Sequence, residues 1–98
     1  MVTSMPMAAS QRKTPGSAGS ARVTRVQTGV RIEKRLLKVL KGLAELKDLS
    51  LGDLLEGICL HAFEGKPAFT KETQGQIADL KRIYGLDLDA SHSHRLEE

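Results

Sequence analysis

Polar and apolar residues alternate from Arg25 to Ile32. Val26, Thr28, Val30 and Ile32 fall on one side, and Arg25, Gln27, Gly29 and Arg31 on the other. A period of two predicts a β-strand over residues 24–32. Val26, Val30 and Ile32 suit it because they are β-branched, whereas Gly29 weakens it. The period then changes. Leu36, Leu40, Leu43, Ala44 and Lys47 recur at i, i+4, i+7, i+8 and i+11, widened by Leu37, and predict a first helix over 33–47. Lys34, Arg35, Lys38 and Lys41 lie off that stripe.

A second helix is predicted over 51–64. Ser50 is its N-cap, Asp53 its third residue in a variant capping box, and Leu49 and Leu54 a hydrophobic staple. Its apolar side (Leu51, Leu54, Leu55, Ile58, Cys59, Ala62, Phe63) is wide enough for the first helix and a partner chain together. Gly65 and Pro67 end it. A third, weaker helix spans about 71–84, capped by Thr70, lined by Ile77, Leu80 and Tyr84, and stopped by Gly85. Residues 89–98 read as a polar tail.

The chain has 98 residues, enough for one small domain. Residues 1–21 contain no acid and no aromatic side chain, so a flexible basic tail is expected over 1–23. It is followed by a strand–helix–helix domain over 24–65 and a C-terminal extension over 66–98. A folded part of about 60 residues is marginal as a monomer. Cys59 is the single cysteine and cannot form a disulfide within the chain. Oligomerisation is then the remaining stabiliser, and a short strand with no partner points the same way. Two copies pairing their strands would make a ribbon that fits the DNA major groove.

Charge sharpens that expectation. Residues 1–41 carry nine Lys or Arg against Glu33 alone, a net of +8, while residues 42–98 carry six against eleven acids, a net of −5. A basic front half suggests a surface that meets a polyanion; its bland alternative is a solvated face with a basic tail. No segment has the run of about 18 apolar residues that a membrane span needs. The N-terminus lacks the apolar core of a secretory signal, and its Ser- and Arg-containing composition shows no amphipathic pattern of a transit peptide. A lone thiol suits a reducing cytoplasm. No catalytic constellation, phosphate loop or metal-ligand cluster is visible, so no enzyme, no metal and no cofactor is expected. Cys59 and His61 read as core and half-buried structural residues, and His92 and His94 as tail residues without a designed metal site.

The stretch VQTGVRIEKRLLKVLKGLAELKDLSLGDLLEGICLHAFEG, residues 26–65, resembles the ribbon-helix-helix family of DNA-binding proteins (the Arc, MetJ and CopG group). The resemblance rests on three spacings: the alternating strand, the Leu36–Leu37 pair four residues after Ile32, and the Leu49–Ser50 turn thirteen residues after Leu36. It implies a mainly α fold with one short N-terminal strand, forming an intertwined homodimer with a two-stranded antiparallel ribbon, here with an extra C-terminal helix. It also implies base contacts from Arg25, Gln27, Gly29 and Arg31. Phosphate contacts would come from Ser50 and the amides of Leu51 and Gly52. Asp48 stands in the turn between the helices and tolerates the left-handed conformation.

The chemistry of those positions fits. An Arg31 guanidinium can donate twice to guanine, and Gln27 can pair with adenine. Gly29 lets the chain lie close to the bases. Lys34, Arg35 and Lys38 can neutralise phosphates, or form a solvated face. The expected function is sequence-specific binding of double-stranded DNA, most simply as a cytoplasmic, nucleoid-associated transcriptional repressor. One alternative is an antitoxin whose residues 66–98 bind a partner protein through Leu80, Ile83, Tyr84, Leu86 and Leu88. Another is a plasmid or chromosome partition accessory.

Overall fold

The computed structural model describes residues 20–98. Most of the expected tail, residues 1–19, lies outside the described residues. The chain divides after Val30, and the unit that follows runs from Arg31 to Glu98.

Residues 20–33 form neither helix nor strand. The expected strand over 24–32 is therefore corrected to irregular chain, and the ribbon-helix-helix arrangement with its two-stranded antiparallel ribbon is overturned. The fold is three α-helices and one short 3-10 turn, with no strand among the described residues. The physical reason is hydrogen bonding. Alternation supplies the side-chain pattern of a strand, but a strand is completed by backbone bonds to a neighbour. The other long segments of the described chain are helical and offer no neighbour. Val23, Val26 and Val30 are accordingly exposed.

In the Arg31–Glu98 unit, α1 spans Lys34–Leu46, α2 Leu51–Phe63 and α3 Lys71–Tyr84. Each starts at a side-chain cap. Glu33 Oε1 accepts the Leu36 N–H at 2.8 Å, Ser50 Oγ that of Asp53 at 3.0 Å, and Thr70 Oγ1 that of Thr73 at 3.2 Å. Such caps satisfy amides that the helix itself leaves unpaired.

All three helices end in the same left-handed turn. Asp48, Gly65 and Gly85 take φ of 56°, 69° and 68°. The next amide then reaches back to the helix: Leu49 to Ala44 O at 2.9 Å, Lys66 to His61 O at 2.9 Å, and Leu86 to Lys81 O at 2.8 Å. This is the Schellman arrangement. It carries an apolar residue inward after α1 and α3, since Leu49 packs on the core and Leu86 is buried. After α2 it carries the exposed Lys66.

α1 is the helix that both others contact. The core is Leu43, Ala44 and Leu54, with Leu40, Leu49, Ile58, Phe69, Ile77 and Leu80 packed against it. Leu43 is 1% exposed, and burying such a side chain stabilises by roughly 1.5–3 kcal/mol. α3 lies close to α1 at Gly42, where a Cβ would lie 3.0 Å from Leu80 Cδ2. Arg35 fastens the start of α1 to the chain leaving α3. Its guanidinium donates to Glu33 Oε2 at 3.1 Å, to Gly85 O at 3.0 Å and to Asp87 Oδ1 at 3.0 Å. A cation there also favours the carbonyl end of α3.

Two further expectations are corrected. Cys59, Ala62 and Phe63 are exposed rather than part of the core, and so is His61, whose Nδ1–H donates to Gly57 O at 2.7 Å. They fall beyond the short contact that α1 makes with α2. Residues 89–98 are no plain polar tail. Asp89 caps the 3-10 turn Ala90–His92, and Leu88, Ala90 and Leu96 line a groove.

Candidate nucleic-acid interface

α1 has two unlike sides. Val39, Leu43 and Ala44 are buried on one. Lys34, Lys38 and Lys41 stand at i, i+4 and i+7 on the opposite one, and all three are exposed. They cover about 10 Å of helix axis, a length over which one strand of a duplex presents about three phosphates. Glu45, exposed on the same side, ends the stripe. Lys38 Nζ lies 5.9 Å from the centroid of the Tyr84 ring, within the range of a cation–π contact that restrains the side chain. Lys41 completes the stripe although it was not among the expected phosphate contacts. Its distance of seven residues from Lys34 was the signal available in the sequence.

The other expected residues are distributed differently. Arg25, Gln27 and Gly29 are exposed in the irregular 20–30 segment. With no sheet there, alternation does not assign them to a common face. Arg31 belongs to the helical unit and is ion-paired with Glu98. Arg35 is held by Glu33, Gly85 and Asp87 and does not join the lysine stripe. Ser50 and Gly52 are exposed at the start of α2 and Leu51 is half-buried, with Asp53 in the same first turn. Ser50 is thus occupied as a cap.

Glu33 and Arg35 both titrate away from their ordinary values near this face, Glu33 lower and Arg35 higher. The Leu36 N–H that Glu33 accepts, and then Arg35, hold its carboxyl below the usual range. Asp89 is lowered in the same direction by the Ser91 hydroxyl and amide. Among the described residues no group of three or more His, Cys, Asp or Glu is placed to hold a metal ion. No helix among them is long and apolar enough to cross a membrane.

The antitoxin alternative rests on the acidic segment Asp79–Asp89 with Leu80, Ile83, Tyr84, Leu86 and Leu88. α3 packs on α1, with Ile77 and Leu80 against the core and Leu86 buried. Those side chains are already used within the unit. Ile83 and Tyr84 remain exposed. The site is defined as a cationic helix face on a small three-helix protein. Compared with known proteins, the chain matches no protein family, no curated protein and no solved structure.

Proposed function

We propose that the chain binds double-stranded DNA in the cytoplasm and acts by occupying it, most simply as a repressor of transcription. The observation that carries this reading is the stripe Lys34–Lys38–Lys41, three exposed ammonium groups on the side of α1 turned away from the core. Fixed on a helix, they meet phosphates without ordering a loop first. The role is one of binding rather than catalysis.

A second copy of the chain is the partner that fits α2. Leu60 and Phe63 are exposed there, beside Cys59 and Ala62. That flank between Gly57 and Phe63 carries no acid and no Lys or Arg, so two copies can meet on it without opposed charges. The lysine face repels its own copy and is left outward for DNA. Dimerisation doubles the cations presented to one duplex.

The test is affinity for duplex DNA as a function of salt. Each neutralised phosphate contributes about −0.9 to the slope of log K against log salt. Replacing Lys34, Lys38 and Lys41 together by alanine is expected to weaken binding to every sequence and to flatten that slope. An unchanged affinity and slope in the folded triple variant refutes the reading.

A further inference from the structure

A groove of about 370 Å³ opens within the Arg31–Glu98 unit, walled by α1, α3 and the chain that follows α3, with Ile58 of α2 and Phe69 also lining it. Val39, Leu43 and Leu86 line its depth and are themselves buried. Protein interiors are normally filled, and a hollow of this size is unusual in so small a unit. Its volume lies at the low end of the range for small-molecule sites, about 300–1,000 Å³. Its make-up matches as well: apolar walls with a few polar groups, here Lys81 and the turn Asp89–Ser93.

The charges along the wall are unequally engaged. The Asp89 carboxylate accepts from the Ser91 N–H at 2.9 Å and from the Ser91 hydroxyl, and lies 3.2 Å from His92 Nδ1. That same nitrogen accepts the Asp89 N–H at 3.0 Å. Lys81 is half-buried and has no ion pair among the described residues. A cation beside apolar walls is matched by a ligand with one anionic head and an apolar body.

We propose that this groove binds a small amphipathic carboxylate, its alkyl chain among Leu36, Leu40, Ile77 and Leu88 and its head paired with the Lys81 ammonium. The outer wall is the chain from Leu88 to Leu96, whose regular structure is the short turn at Ala90–His92. Exposed ion pairs tie it on either side, Asp87 to Arg35 and Glu98 to Arg31. The ligand site does not depend on DNA binding.

Decanoate is the probe, titrated into the full-length protein by calorimetry below its micelle-forming range, with melting followed in parallel. Saturable one-to-one binding and a Tm that climbs with decanoate are expected. Lys81→Met keeps the aliphatic stem and removes the charge. It is expected to weaken decanoate about tenfold and to leave decanol unaffected. Ala90→Trp fills the groove from an exposed position and is expected to abolish both, with the helical circular dichroism of the parent retained. The Lys81→Met comparison decides the matter even where Ala90→Trp disturbs folding. No saturable binding to the folded parent, or decanoate binding equally to parent and Lys81→Met, overturns the assignment.

Discussion

α2 and α3 have nearly equal lengths, 13 and 14 residues, and both contact α1. Their compositions differ more than their burial does. α2 is mostly apolar, yet Leu54 is its single buried residue, and Leu60 and Phe63 are 65% and 83% exposed. α3 is mostly polar and its single buried residue is Thr73; Ile77 and Leu80, like Ile58 of α2, are half-buried against the core, and Leu86 is buried just past the end of α3. The cause is geometric. Gly42 lets α3 approach α1 closely, and the chain then turns Leu86 inward. The turn after α2 presents Lys66, so nothing draws that end down. An apolar composition does not by itself place a helix's side chains in the core. The apolar side chains left over on α2 are the surface to which the dimer proposal appeals.

The difference can be broken at its shared root. Leu54→Ala removes the one residue of α2 that is buried, and is expected to destabilise by about 2–5 kcal/mol, read from urea unfolding. Gly42→Leu attacks the other side. The added side chain meets Leu80 and Tyr84, and overpacking there is expected to destabilise by about 1–3 kcal/mol and to expose Tyr84 in its fluorescence. Phe63→Ser sharpens the comparison instead. An exposed position should change the stability of a single chain by no more than about 0.5 kcal/mol, whereas sedimentation should shift from dimer to monomer. A dimer unaffected by this change excludes the α2 flank as the interface.

The smallest effect expected is one of pH. Glu33 has its carboxyl lowered chiefly by the Leu36 N–H, then by Arg35. A depressed folded-state value stabilises above the unfolded carboxylate range and loses that stabilisation as pH falls through the folded value. Glu33→Gln should therefore flatten the acid limb of a stability–pH profile and leave its alkaline limb unchanged.

The helices were legible in the sequence because their signals are local. Ser50 and Thr70 cap where a hydroxyl precedes an apolar period, Gly85 stops α3, and Asp48 takes the left-handed turn expected of it. The strand was not a local matter. Val26, Val30 and Ile32 carry the right period, but a ladder partner is a property of the rest of the chain, and the described residues contain none. Burial on α2 failed for a related reason. Cys59 and Phe63 lie on the apolar side of the helix, but the reach of α1 ends before them. Of the candidate site, Lys34 and Lys38 were visible as charges off the stripe. Arg35 differs from them through Glu33, two residues away, and through Gly85 and Asp87, about fifty residues away in sequence. The groove was not visible, because it needs α1, α3 and the final residues together.

The shared left-handed exit of the helices also sets where the polypeptide can be altered. After α1 and α3 the residue beyond the turn is a leucine anchored in the interior, so lengthening either corner would pull that anchor out. At Gly65–Lys66–Pro67 the corresponding residues all face solvent. A reporter peptide, a protease site or new chain ends introduced at that corner should leave the three-helix unit standing.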